Sequence, residues 1–271
     1  MTTFVGTNFS SIQATAPTIK VMSYNIEGLK KLVDRKNKEA EQYKRDRFFK
    51  WINTEVKPDI LCTQETGWQG LITQNTDLIH QTRNQGVTIF SKHPIVEKGK
   101  INFPKIRGNA CVWADVRLPD KTIIRIYSTH LQSNRITSDT DKLIENVDLQ
   151  EKETWLGVKS ILGKYKRAAA NRAEQAQLIV EHIKTSPYPV VLGGDFNETP
   201  LSYAYQVLAA DMQDTFQEGA FGIGTTFSGT IPGLKIDYIL TSEHFRTINH
   251  TIFKNQEAFS DHYPVLCEVE Y

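Results

Sequence analysis

Nothing in this chain divides it. No Pro/Gly/Ser tract, long charge run or repeat of fixed period interrupts the 271 residues, so a repeat array is excluded and no inter-domain linker is visible. No stretch reaches the roughly 18 apolar residues of a membrane-spanning helix. Met1 to Pro17 is polar and lacks the apolar core of a signal peptide. It reads as a flexible lead-in, 1–17, to a single domain over 18–271. Net charge is also nearly absent, since 32 Lys and Arg against 31 Asp and Glu leave +1. Extensive duplex binding therefore gains no support from charge, although a local basic patch is compatible with it. Cysteine is scarce: Cys62, Cys111 and Cys267 are odd in number, lack C-x-x-C spacing and sit inside apolar runs. They read as buried free thiols and say nothing about the redox compartment.

What is present is a series of strand-like runs, each ending in residues suited to a metal or a phosphate. They are Ser23-Tyr24-Asn25, Thr63-Gln64-Glu65, Ser128-Thr129-His130, Gly193-Gly194-Asp195-Phe196-Asn197, Ile236-Asp237-Tyr238 and Ser260-Asp261-His262. Arg107-Gly108-Asn109 lies between the second and third. One such segment carries no information; the whole set in order points to one site built from strand ends.

Strands are expected over Ile19–Tyr24, Asp59–Gln64, Val87–Ser91, Cys111–Leu118, Thr122–Thr129, Pro189–Leu192, Leu234–Leu240 and Pro264–Val269. A helix is expected over Glu39–Val56, with Phe48, Ile52 and Val56 four apart and Pro58 closing it. A second is expected over Tyr165–Lys184, where Ala169, Ala173, Ala176, Val180 and Ile183 form one apolar stripe. Strands outnumber interspersed helices, which fits an α/β sandwich of two packed sheets with helices outside. Residues 133–164 follow no clear pattern and read as a surface excursion or as substrate-contacting loop.

Phosphodiester hydrolysis requires neutralised charge on the phosphoryl oxygens, an oriented water and a stabilised leaving oxygen. Glu65, carried to a sheet edge by an apolar strand, suits Mg²⁺ or Mn²⁺, and Asn25 can offer an amide oxygen beside it. Asp195 can accept the proton of the attacking water while Asn197 donates to a phosphate oxygen; alone, Gly-Gly-Asp-x-Asn also describes a turn with an Asx cap. His262 can stabilise transition-state charge if a carboxylate raises its pKa, and Asp237 is the candidate. Asp261 falls to the metal side, and His130 is a second donor to the phosphate. Asn109 and Arg107 are candidate substrate contacts, and Arg135 and Arg172 are either further phosphate donors or solvated charges. His80, His93, His182, His244 and His250 read as structural or surface residues.

From Ile19 to Tyr271 this ordered set resembles the endonuclease/exonuclease/phosphatase superfamily. Tyr24-Asn25, Gln64-Glu65, Thr129-His130-Leu131, Gly194-Asp195-Phe196-Asn197, Asp237-Tyr238 and Ser260-Asp261-His262 match its motifs. The resemblance implies a four-layered α/β sandwich and direct attack of water, with Mg²⁺ or Mn²⁺. Asn25-Ile26-Glu27-Gly28-Leu29 and His130-Leu131-Gln132-Ser133 are similar to the tyrosyl-DNA phosphodiesterase branch but too short to assign a substrate. The catalytic tyrosine segment of abasic-site endonucleases has no counterpart after His130. The chain also looks like the catalytic domain of bacterial members with N-terminal membrane helices. That reading makes it a piece of a longer, extracytoplasmic protein whose membrane contact runs through a removed anchor.

The sequence thus leads to a monomeric phosphodiesterase acting on DNA, RNA or a related diester. A phospholipid or inositol-phosphate hydrolase of the same fold stands beside it. A non-catalytic module is disfavoured because every motif position keeps its reactive residue.

Overall fold

In the computed structural model the described residues are 5–7, 12–67, 69–103, 108–133, 152–229, 233–255 and 259–271. Two six-stranded sheets pack face to face. The first comprises β2 (Thr18–Asn25), β3 (Ile60–Gln64), β4 (His80–Asn84), β5 (Val87–Ser91), β13 (Arg246–Ile252) and β14 (Val265–Glu270), in the order β13-β14-β2-β3-β5-β4. The second comprises β6 (Ile95–Ile101), β7 (Ala110–Arg117), β8 (Ile123–His130), β9 (Val190–Asp195), β10 (Gln213–Asp214) and β12 (Asp237–Thr241), in the order β10-β12-β9-β8-β7-β6. A small ribbon joins β1 (Val5–Thr7), within the expected lead-in, to β11 (Phe221–Ile223).

Strand periodicity divides the apolar residues into layers. Along β2, Ile19 and Val21 face the opposite sheet, whereas Met22 and Tyr24 face outward. Outward-facing residues of the first sheet pack under α1 (Lys38–Trp51) and α2 (Gln69–Asn75), and those of the second pack under α3 (Lys152–Ile183). Helix, sheet, sheet and helix make the four layers expected from the sequence.

Each sheet contains one parallel pair, β2 with β3 and β8 with β9. All other pairings in the two sheets are antiparallel. The parallel pairs end level with one another, pairing Asn25 with Gln64 and His130 with Asp195. Because β12 runs the other way, its first residue, Asp237, pairs with Asp195. Side chains alternate along a strand. Asn25, Gln64, His130, Asp195 and Asp237 all share the parity of residues that face the sandwich interior. Register and parity together gather them at one rim.

Several expectations need adjusting. The first helix is α-helical to Trp51, then widens into a turn over Ile52–Val56 and stops at left-handed Lys57, before Pro58. The second begins at Lys152 rather than Tyr165. Gly157 and Gly163 obscure its start in the sequence, although a helix with an exposed face tolerates glycine at about 1 kcal/mol each. The strands β4, β6 and β13 are absent from the sequence-based expectation. All three are sheet edges, where exposure dilutes the hydrophobic alternation on which recognition depends. Cys62, Cys111 and Cys267 are buried and free, as expected.

Candidate active site

The centre is organised around one carboxylate. Asp195 Oδ2 lies 3.1 Å from Asn25 Nδ2, 3.5 Å from His130 Nε2 and 3.7 Å from His262 Nε2. Its Oδ1 accepts the Asn197 backbone N–H at 2.9 Å. Four chain segments therefore meet on a single buried side chain. Gly194, just before it, is required by space: a Cβ there would collide with the Thr129 carbonyl of β8. A larger residue would push β9 away from β8 and break the His130–Asp195 alignment.

His262 enters from the loop before β14. Ser260 Oγ donates to the Asn25 carbonyl at 2.7 Å and accepts the His262 N–H at 3.1 Å, which pins the loop to the end of β2. The Phe227 ring stands edge-on to the imidazole at 5.0 Å. His262 Nδ1 lies 2.9 Å from Asp237 Oδ2. Burial by itself lowers the pKa of this ring, but the charges of Asp237 and Asp195 outweigh it and lift the value to about 10. Asp237 is pushed up to about 6 by burial, against the attraction of His262 and with the repulsion of Asp195. Near neutral pH the pair is therefore imidazolium and carboxylate. The Asp237 partnership expected from sequence is present. Thr226 Oγ1, which sequence reading misses in a stretch without strand pattern, accepts the Asp237 N–H at 3.0 Å.

Asp195, Asp237 and His262 form a compact set of metal-type donors, with one ligand atom from each all within 4.8 Å. With the ring protonated the set reads as an ion-pair triad, since an imidazolium offers no lone pair to a metal. The better cation donor is Glu65. It sits just past β3 in a left-handed conformation, φ 54°, and is exposed. Among the described residues it makes no salt bridge, and its polar neighbour is Asn25 Nδ2 at 3.5 Å. A hard-oxygen carboxylate without a cationic partner among the described residues suits a hard divalent cation. Asp261, next to His262 in sequence, is half-buried and also lacks a salt bridge among the described residues.

Asn25 uses both ends of its amide. Its amide oxygen accepts the Glu27 N–H at 3.1 Å, and its NH₂ faces Glu65 and Asp195. Its NH₂ thus serves the centre as a donor, and the amide oxygen keeps a second lone pair.

Asn109 and Asn197 come together on one acceptor. Their Nδ2 atoms donate to the Leu131 carbonyl at 2.8 and 3.1 Å. Each NH₂ keeps a second hydrogen for a ligand. Nothing in the sequence marks a backbone carbonyl for this work. Arg107 and Arg135 lie outside the described residues. Arg172 is neither a phosphate donor nor a solvated charge; it is fully buried against Glu198.

The other histidines lie away from this centre. His250 Nδ1, for example, is 2.9 Å from Thr215 Oγ1 in the interior, and His182 Nδ1 is 2.8 Å from the Tyr127 hydroxyl. Among the described residues, no helix is long and apolar enough to cross a membrane.

Residues 22–262 match the model of the Endonuclease/Exonuclease/phosphatase family. Among curated proteins, none matches the chain by sequence. Solved structures align over nearly its whole length. An endonuclease/exonuclease/phosphatase from Beutenbergia cavernae covers 93% of this chain and 71% of its own, with TM-score 0.65 and 16% identity. The Bacteroides thetaiotaomicron mannosyl-6-phosphatase covers 93% and 100%, with TM-score 0.62 and 15% identity. The human Nocturnin catalytic domain, with a bound sulfate anion, covers 94% and 95%, with TM-score 0.63 and 17% identity. At these identities the structural likeness is one of fold.

Proposed function

The chain belongs to the endonuclease/exonuclease/phosphatase family of phosphoester hydrolases, and on that premise we propose a divalent-metal-dependent phosphodiesterase, nuclease-like, in which water attacks phosphorus directly. The observation that carries this reading is the Asp195 hub, a buried carboxylate held by Asn25 and flanked by His130 and His262.

Within this reading Asp195 takes the proton of the attacking water, and its hydrogen bonds fix its direction of approach. His262, kept positive and oriented by Asp237, faces the charge that builds on the phosphoryl oxygens. Asn197 contributes its free N–H to one of those oxygens, Asn109 does the same beside it, and His130 is a further donor. Glu65, with Asp261 as a second carboxylate, would hold Mg²⁺ or Mn²⁺; when bound, such an ion neutralises phosphoryl charge and lowers the pKa of water. All these side chains come from strand ends or pinned loops, so little reorganisation accompanies reaction.

A monoesterase reading stands second, supported by the mannosyl-6-phosphatase of the same fold. Hydrolysis of bis(p-nitrophenyl) phosphate and p-nitrophenyl phosphate, each with Mg²⁺, Mn²⁺ or chelator, separates the two. Metal-dependent turnover of the diester, lost in His262→Ala, is the expected result. Turnover of the monoester alone would replace the diesterase reading.

A further inference from the structure

Arg172 is the largest fully buried side chain in the described part of the protein, at 0% exposure. A guanidinium is removed from water at great cost unless its donors are met, so its partners indicate its role. Nε donates to Glu198 Oε1 at 2.6 Å, and Nη1 donates to the Gln132 carbonyl at 2.8 Å. Gln132 lies two residues after His130, and Glu198 directly follows Asn197. These are the exits of the parallel neighbours β8 and β9. One planar fork projecting from α3 therefore joins the two loops that carry the site.

The surrounding bonds complete a clamp. Gln175 Oε1, one turn along α3, accepts the Gln132 N–H at 2.9 Å. The Tyr238 hydroxyl lies 2.8 Å from the Glu198 carbonyl and 2.7 Å from the Lys235 carbonyl, and shares its one proton between the two acceptors. Between the clamped points, Leu131 N donates to the Asp195 carbonyl at 3.0 Å. The Leu131 carbonyl is the shared acceptor of Asn197 and Asn109. A small shift of Gln132 relative to Glu198 must move that carbonyl, and the two amides turn with it.

We infer that Arg172 is a positioning residue for phosphoester hydrolysis: by spanning Gln132 and Glu198 it sets the spacing of the His130 and Asn197 loops, and so the aim of the Asn197 and Asn109 amides. The inference rests on the hydrolase reading above. The role calls for arginine in particular. Lysine presents its donors from a single point and cannot hold a carboxylate and a carbonyl in one plane.

The test compares wild type with Arg172→Lys and with the double variant Arg172→Met/Glu198→Met, which removes both charges and leaves neither buried alone. Three readouts are taken: thermal midpoint, kcat and KM on bis(p-nitrophenyl) phosphate, and hydrogen–deuterium exchange by mass spectrometry. The expected result is a folded protein whose kcat falls at least ~10-fold while KM stays within ~3-fold, since misaimed donors forfeit transition-state stabilisation rather than uniform binding. Exchange should quicken at 131–133 and 196–199 while β2 and β14 stay protected. Arg172→Lys, the milder change, should show the same split and keeps the test decisive if the double variant does not fold. A kcat within ~3-fold of wild type, or unchanged exchange at both loops, would overturn the inference. Absence of turnover by wild type would instead remove the hydrolase reading, and the exchange data would still decide whether Arg172 holds the two loops together.

Discussion

Asp237 and Asp195 are register partners on the antiparallel strands β12 and β9, two buried carboxylates side by side with His262 serving both. Like charges this close repel, and only a cation between them makes the pair tolerable. This explains why the imidazole is held positive, and why the last motif of the chain must return to strands laid down earlier.

Removing that cation should therefore affect both rate and stability. His262→Ala is expected to lower kcat by ~10²-fold or more, as loss of a preorganised charge does. The additional change Asp237→Asn should recover stability without recovering rate, because it relieves the repulsion but supplies no positive charge. Urea unfolding and steady-state kinetics on the single and double variants check this. Recovery of rate in the double variant would remove His262 from charge stabilisation.

Asp195→Asn keeps the shape of the hub but cannot accept a proton. Turnover should fall by ~10²–10⁴-fold, the usual contribution of a general base, with the fold retained by circular dichroism. A variant near wild-type rate would exclude Asp195 from proton transfer.

Glu65→Gln should weaken Mn²⁺ binding, measured directly by isothermal titration calorimetry, by at least ~10-fold, because a neutral amide replaces the charged oxygen donor. Activity should then require correspondingly more metal. Identical titrations for variant and wild type would move the metal away from Glu65.

A pH effect is expected far from the centre, at His250. Thr215 Oγ1 donates to the Ile239 carbonyl, so His250 Nδ1 must be the donor to that hydroxyl, leaving Nε2 buried without a partner among the described residues. Burial, reinforced by the charge of Lys235, depresses the His250 pKa from 6.5 to about 3. A depressed histidine contributes stability above its unfolded pKa and loses it as pH falls towards the folded value. Between pH 7 and pH 5 wild type should lose about 2 kcal/mol that His250→Leu does not lose. Parallel stability profiles for the two proteins would contradict this.

Gly194→Ala should destabilise by about 1–3 kcal/mol, the usual cost of overpacking, since a methyl group there meets the Thr129 carbonyl of the neighbouring strand. Activity per folded molecule should fall too, because β8 and β9 carry His130 and Asp195. Chemical denaturation alongside kinetics tests both effects.

Much of the candidate site is legible in the sequence. Glu65, His130, Asp195 and His262 point to their chemistry only as members of one ordered set at strand ends, because a single carboxylate or imidazole closing an apolar run carries no information. The central strands are equally plain, since burial on both faces leaves continuous apolar runs such as Val190-Val191-Leu192. The edge strands β4, β6 and β13 are not, because solvent on one side relaxes the demand for apolar residues.

The sequence by itself determined which residues are equipped for chemistry, that strands outnumber interspersed helices, and the order in which the motifs arrive, because local period and residue type are written along the chain. Tertiary structure decided the pairings. That Asp195 faces Asp237, that Asn25 presents its NH₂ to Asp195, and that Arg172 is buried between two loops all depend on strand register and on partners distant in the chain, as Asn25 and Asp195 are, 170 residues apart. A one-residue change of register would turn every such side chain to the opposite face. That choice is made by packing the two sheets together, and no local stretch of sequence contains it.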